Sequence, residues 1–508
     1  MWNEGYTSEI NYTSGYYSEL APNRLKLALL SCGIDHSVPD RPHYLELGFG
    51  QGLSLTINAA TNSGTFVGTD FNPGQVANAR ELAAAMGKPV TLLEDSFEEF
   101  AAAGQADQYD IIALHGIWSW ISEGARNAIV DIARRMLKPG GIFYISYNVT
   151  PGWSPAWPLR TLLSEYSKRE ANGTLINRVD QSIAFVDKVI GANAAYFVQN
   201  PQLKARLEQI KKQDRNYIAH EFFNAHWDPV PFSALADRLA EAKLSFAASA
   251  NILENLPAIS IPKGAHAVLN EIREPILRQT VRDYFVNQQF RRDIFVKGPR
   301  PIAPYDLGKR IDKERFILLG NPEACPEKIN TVVGEVELRA DIYKPLSEAL
   351  AKLPGATGTV AELKGQKSLS KLMPAQVWEA LLVLTGAGHV SPVSSSATPD
   401  EDEVAARGLN ARLLERAEGG AGVDYLAAPK LGAATHVTRI EQLFIRALQL
   451  EAKDPVEHVW GILSAQNQRL VIEGATIEGD AENKAELKKM LGEFQKKRAT
   501  YLKQLGVF

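Results

Sequence analysis

A chain of 508 residues with 45% apolar and 22% charged side chains is too long for one simple core and fits two to four globular domains. A net charge of -4 excludes a global electrostatic footprint for nucleic acid, and two cysteines, Cys32 and Cys325, exclude a disulfide framework or a thiol-built zinc site. The opening Met1-Trp2-Asn3-Glu4 lacks a secretory signal's basic and apolar regions, and no run approaches the roughly 18 apolar residues of a membrane span. The chain therefore reads as cytoplasmic, with no membrane insertion.

Residues 1–42 form an N-terminal arm carrying Tyr6, Tyr12, Tyr16 and Tyr17, followed by a helical pattern over 23–32. Such an arm either packs its tyrosines on the domain or closes over a ligand as a lid. From residue 43 the apolar rhythm alternates between strand and helix lengths, which implies a parallel α/β sheet. Strands are expected over 44–47, 65–69, 90–93, 110–114 and 142–147. Helices are expected over 53–60, 73–86 and 123–137, the last with Ser122 as its N-cap. The turn before the fifth strand is Leu137-Lys138-Pro139-Gly140-Gly141.

The first strand runs into Gly48-x-Gly50-x-Gly52, and Glu46 precedes the first glycine. A dinucleotide site wants Gly-x-Gly-x-x-Gly, but Leu53 stands where the third glycine of that pattern would fall. A carboxylate at the strand end suits a ligand with a cationic amine better than one led by a pyrophosphate. S-adenosylmethionine carries an α-amine, a carboxylate and a sulfonium, and the pattern resembles motif I of the class I methyltransferases. Open α/β sheets bind ligands at strand ends. Asp70 with Phe71 ends the second strand, placed either for the ribose hydroxyls or as a turn residue. Asp95-Ser96 ends the third, where adenine is met or where Ser96 caps a helix over 97–102. His115 follows the fourth strand and is grouped with these cofactor residues.

The sheet closes late, with a helix over 232–242, a strand over 244–248 and a final antiparallel strand over 292–297. This divides the chain into a core over 43–157, a helical insertion over 158–230, and closing strands with a second helical insertion over 231–305. A winged-helix-like domain over 306–398 is read from helices over 338–353, 359–364 and 374–385 and a wing strand over 389–393. Its third helix, 375–382, holds no Lys or Arg, so it is expected to pack against protein and not DNA. Residues 394–402 read as a linker, and 399–508 as a helical C-terminal domain ending in a solvated charged helix over 480–502. On this division the cofactor elements precede residue 298, and removal of 306–508 is expected to leave cofactor binding largely intact but to impair methylation of a protein acceptor.

The segments Tyr12-Thr13-x-Gly15-Tyr16-Tyr17-x-Glu19-Leu20, Glu46 to Gly52, Tyr147 to Trp153, His220-Glu221-Phe222-Phe223 and Phe290-Arg291-Arg292-Asp293 together resemble one family. It is the bacterial class I methyltransferases with a methyltransferase regulatory domain, similar to the protein lysine methyltransferases that act on outer membrane proteins. The resemblance implies a Rossmann-like sheet, S-adenosylmethionine as cofactor with S-adenosylhomocysteine as product, and a protein acceptor such as an outer membrane protein. A homodimer is left open. A lysine acceptor ionises near pH 10.4 and must lose its proton to attack. Asn148 and Tyr147 are candidates to orient the amine. Trp118, Trp120, Trp153 and Trp157 follow strands four and five, where aromatic faces attract ammonium, and Tyr16 joins Trp118 as a candidate at the acceptor. A small-molecule methyltransferase of the same fold, or an S-adenosylmethionine-sensing interaction module without turnover, are the alternatives.

Overall fold

The computed structural model describes residues 15–103, 109–396, 398–420, 422–472 and 474–508, and its centre is a seven-stranded sheet. The strands are β1 (His43–Leu47), β2 (Thr65–Thr69), β3 (Thr91–Leu93), β4 (Tyr109–Leu114), β5 (Leu137–Asn148), β6 (Leu244–Ser249) and β7 (Phe290–Lys297). Their spatial order is β3-β2-β1-β4-β5-β7-β6, and only β7 runs antiparallel to its neighbours β5 and β6. The order reverses between β1 and β4, which opens a crevice at the carboxyl ends of those strands. The α/β class and the late closing strands are as the sequence rhythm predicts.

Both faces of the sheet are covered, which is why its strands read as nearly continuous apolar runs. One face takes Tyr44, Ile111, Ile142 and Tyr144 against α1 (Pro22–Ser31), α2 (Leu53–Thr61) and α3 (Pro73–Met86). The other takes Leu45, Leu47, Ile112 and Phe143 against α4 (Phe97–Ala102) and α5 (Glu123–Met136). Strand β5 starts earlier than its apolar run suggests, because Leu137 already pairs with Tyr109 before a register shift. Ser122 caps α5 by accepting from the Ala125 N–H.

The first insertion is helical, with α6 (Trp157–Arg169), α7 (Leu175–Gly191), α8 (Gln202–Lys212) and α9 (Arg215–Phe223) around their own apolar cluster. After α10 (Phe232–Ala240) and β6, the second insertion ends in α11 (Pro275–Val286).

Beyond residue 303, β8 (Arg315–Leu318) lies between β9 (Thr357–Thr359) and β10 (Val390–Pro392). The expected helices form as α12 (Ala340–Ala351), α13 (Val360–Lys364) and α14 (Pro374–Gly386). The expected wing strand pairs with β8, which precedes the helices, and not with a ribbon partner that follows them.

Two boundaries differ from the sequence reading. The linker over 394–402 is not a spacer, because α15 (Pro399–Glu418) begins inside it and buries Asp402 against Lys88 at 2.7 Å. Helix α15 lies along α2 and α3, and its leucines belong to the same apolar cluster as theirs. A Cβ on Gly408 would stand 2.2 Å from the Ala85 carbonyl oxygen, so the two backbones nearly touch. The C-terminal region is therefore part of the core's outer layer. The charged run over 480–502 is likewise not solvated all round: Leu487, Phe494 and Leu502 are buried on one face.

Candidate active site

The carboxyl ends of the parallel strands, the residues from Gly15 to Leu20 and the helical insertion enclose one cavity of about 500 Å³. The glycine turn forms its floor. Gly50 and Gly52 both take left-handed φ angles, +57° and +77°. A Cβ on Gly52 would meet the Ala79 Cβ at 2.4 Å, whereas one on Gly50 would meet nothing within 4 Å. Gly52 thus lets α3 pack closely, and Gly50 leaves room for a ligand. Gly52 also starts α2 without a side-chain cap, so the helix's first N–H groups are available to an anionic group.

Two carboxyls stand beside this turn. Glu46 leaves β1 buried, with the Tyr44 hydroxyl donating to it at 3.3 Å. Asp70, at the end of β2, accepts from the Gly50 N–H at 2.9 Å and the Asn72 N–H at 3.0 Å, tying the two strand ends together. Burial pushes Glu46 up to about 8, partly offset by the Tyr44 hydrogen bond and reinforced by Asp70. Burial likewise pushes Asp70 up to about 6, against the two backbone N–H groups. A site that keeps two buried carboxyls close together favours a cationic ligand group, which would restore the charge that burial suppresses. An open glycine cradle, an uncapped helix start and these carboxyls fit the carboxylate, hydroxyls and amine of S-adenosylmethionine.

All of Glu46, Gly48, Gly50, Gly52, Asp70, Phe71, Asp95, Ser96 and His115 line the cavity. Ser96 also caps α4 in a capping box with Glu99, so its side chain has a structural task as well. His115 shares its Nδ1 with the Tyr144 hydroxyl at 2.7 Å, and burial lowers it to about 4, which keeps it neutral at pH 7.

The residues expected at the acceptor divide differently. Asn148 lines the cavity and is only 4% exposed, and among the described residues its Nδ2 has no hydrogen-bond partner. Its backbone is fixed: the N–H donates to Ser119 Oγ at 2.9 Å, and the carbonyl accepts from the Val230 N–H. A Cβ on Gly152 would stand 2.2 Å from the Gln288 carbonyl oxygen, so the loop after Asn148 can lie flat on residues 288–289 only with glycine there.

Tyr147, Trp118 and Tyr16 do not line the cavity. Tyr147 alternates to the other side of β5, where its hydroxyl donates to Asp293 at 2.8 Å in a buried network with Arg291. Trp118 packs in the core under α5, with the Arg126 guanidinium 5.7 Å from its ring. Tyr16 points into the C-terminal region and accepts from the Ala434 N–H at 3.0 Å. Its neighbour Tyr17 faces the cavity instead, stacked on His115 with ring centroids 3.8 Å apart. Trp120 and Trp153 line the cavity, whereas Trp157 is 45% exposed. Tyr6 and Tyr12 lie outside the described residues.

The sequence reading assigned no role to Glu19, Tyr217, Glu221 or Arg292, all of which line the cavity. Arg292 pairs with Glu19 at 3.2 Å, joining β7 to the segment that closes over the site. Tyr217 and Glu221 are one helical turn apart on α9, a spacing that places them on one face. That periodicity was readable, but only the fold shows which way the face points.

Residues 45–141 match a family described as "Methyltransferase domain", and residues 214–297 one described as "Predicted methyltransferase regulatory domain". Protein sll1526 of Synechocystis sp. is 36% identical over 509 residues, covering 100% of this chain and 99% of that protein. Protein RP789 of Rickettsia prowazekii is 24% identical over 62% of this chain and 61% of its own length. Among solved structures, PKMT2 of Rickettsia typhi in complex with AdoHcy superposes with a TM-score of 0.67 at 16% identity, covering 98% of this chain and 99% of that one.

Proposed function

We propose that this chain, which belongs to the class I S-adenosylmethionine-dependent methyltransferases that carry a methyltransferase regulatory domain, delivers its methyl group to lysine side chains of a protein acceptor. S-adenosylmethionine is its cofactor and supplies an electrophilic methyl on a sulfonium. The observation that carries the lysine reading is the aromatic lining of the cavity, to which Tyr17, Trp120, Trp153 and Phe290 all contribute. Aromatic faces attract an ammonium group and exclude water around the alkyl stem behind it. The motif resemblance to enzymes acting on outer membrane proteins supports an acceptor of that kind.

Incubation with methyl-labelled S-adenosylmethionine and a lysate fractionated into outer membrane and remaining proteins tests the reading. Label recovered as N-methyllysine after acid hydrolysis is the expected result. Label confined to small molecules would overturn it in favour of a small acceptor, and no label anywhere would favour a sensing role.

We assign to Asn148 the orienting of the attacking amine, a reading supported by its side-chain amide, which is buried at the cavity wall on a fixed backbone. Asn148→Ala is expected to lower turnover about 10-fold, the effect of losing roughly 1.4 kcal/mol in the transition state. Affinity for S-adenosylhomocysteine should stay within about twofold. Steady-state kinetics at saturating cofactor check this, and unchanged turnover would make Asn148 a structural residue.

A further inference from the structure

One of the carboxyls that line the cavity stands on the helical insertion. Glu221 projects from α9, in the segment matched by the regulatory-domain family, and lines the cavity together with Asn148 and Trp153. The nearby cations are committed elsewhere. Arg206 lies 4.2 Å over the Trp153 ring and donates to Gln289 Oε1 at 3.3 Å. Arg160 donates to the Asn224 carbonyl and lies 5.2 Å over the Trp227 ring. Among the described residues, no cation forms an ion pair with Glu221. A half-buried carboxyl without a paired cation carries a desolvation cost. Here the cavity provides space where one could bind.

We infer that Glu221 is a catalytic residue, the carboxylate that receives the acceptor's ammonium group and takes its proton before methyl transfer. The inference rests on the amine reading above. The Glu221 carboxylate accepts one proton from R–NH3+, leaving R–NH2 and a neutral carboxylic acid. The amine nitrogen then attacks the methyl carbon; the N–C bond forms as the C–S bond breaks, and the sulfur keeps the electron pair as S-adenosylhomocysteine leaves. The product is R–NH2+–CH3, and the proton on Glu221 returns to solvent.

The surroundings suit that task. Burial raises the Glu221 carboxyl to about 7, against Arg206, the Tyr217 hydrogen bond and Arg160, all of which lower it. A base poised near neutral pH holds a proton and gives it up within the working range. Tyr217 faces it from the same helix, Arg206 from α8 and Arg160 from α6. The other ionisable groups at the cavity beyond the cofactor carboxyls are His220 and His226 on the insertion, Tyr17 and Glu19 near the N-terminus, Glu98 on α4, His115 after β4 and Arg292 on β7.

The test uses the full chain, with S-adenosylhomocysteine affinity within about twofold of wild type as the criterion that each variant is folded. Poly-L-lysine with labelled S-adenosylmethionine is the activity probe. n-Butylammonium titrated into the S-adenosylhomocysteine complex is the binding probe. Glu221→Gln should methylate poly-L-lysine about 100-fold more slowly at pH 7.5, the scale of a lost general base. Its rate should then climb with pH toward the amine's own ionisation at about 10.4, whereas the wild-type rate levels off by about pH 8. Tyr217→Phe removes a contact that lowers the carboxyl, so its acidic limb should move to higher pH. A merely structural role would depress the rate equally at every pH. Butylammonium should bind Glu221→Gln at least 10-fold more weakly than wild type. Should Glu221→Gln fail the folding criterion, Glu221→Asp replaces it and is expected to keep the wild-type profile shape at a reduced rate. Wild-type rate and profile in Glu221→Gln would overturn the inference. If no form methylates poly-L-lysine, the lysine reading fails by itself, and the butylammonium comparison alone decides on Glu221: equal binding, or none to wild type, overturns it.

Discussion

Removal of residues 399–508 is expected to abolish the folded cofactor-binding core and leave no S-adenosylhomocysteine binding within about 100-fold of wild type. The sequence reading expects cofactor binding to survive even the larger deletion of 306–508, because the cofactor elements precede residue 298. The structure argues against it by placing α15 on α2, which starts at the glycine turn, and on α3, which packs against Gly52. Leu409, Leu413 and Leu414 of α15 are buried in the apolar cluster shared with α2 and α3, as are Ala405 and Ala406 one turn earlier. Each leucine contributes about 1.5–3 kcal/mol by its burial, and the set rivals the 5–15 kcal/mol by which an ordinary domain is stable. Polar contacts fail at the same time. Lys88 loses Asp402, Tyr16 loses the Ala434 N–H, and Asn62 loses the Gly432 carbonyl at 2.9 Å. Denaturant unfolding and calorimetry on the truncated chain check this. A truncated protein with the wild-type midpoint and affinity would show that α15 merely rests on the core.

The second large effect is expected at Glu46. At pH 7 this carboxyl is mostly protonated in the free protein, since burial holds it near 8. A cationic α-amine beside it favours the ionised form, so binding S-adenosylhomocysteine should release a proton at pH 7. Affinity should therefore rise with pH up to about 8 and level off above it. Glu46→Gln removes the charge partner and should weaken binding at pH 8 by about 1.5–3 kcal/mol, roughly 10- to 100-fold. The variant should also lose the pH dependence between about 6 and 8, keeping only the part below 6 that belongs to Asp70, which burial holds near that value. Calorimetry in two buffers of different protonation enthalpy reads the proton directly. No release from wild type at pH 7, or full affinity in Glu46→Gln, would remove Glu46 from the amine site.

The same two carboxyls fix a sign for stability without ligand. Their ordinary values are 4.5 for Glu46 and 3.8 for Asp70, and both are raised on folding, to about 8 and about 6. Between about pH 4 and pH 8 the folded apoprotein thus binds more protons than the unfolded chain. Stability contributed by these groups falls as pH rises through that window. Glu46→Gln should flatten its upper half, seen as a smaller drop in unfolding midpoint between pH 6 and pH 8.

The sequence by itself determined the parallel sheet, its late antiparallel closure and the glycine turn with Glu46 and Asp70 at adjoining strand ends. These are legible because they depend on short-range rules. A buried parallel strand must be apolar along its length, left-handed turns need glycine, and strand ends in this class point to one side. Hence the residues read as cofactor ligands share one cavity. The acceptor side was not legible in that way. Tyr16 and Tyr17 are adjacent in sequence, yet one hydrogen-bonds into the C-terminal region and the other stacks on His115. Tyr147 and Asn148 divide likewise at the end of β5, one into a buried ion network and one into the cavity. Neighbouring residues on an extended backbone point to opposite sides, and sequence does not say which side holds the cavity. Tertiary packing alone decided that, by laying the insertion helix α9 with Tyr217 and Glu221 over the strand ends and seating α15 on the core. Those contacts join residues hundreds of positions apart, such as Lys88 and Asp402, where no local pattern carries the information.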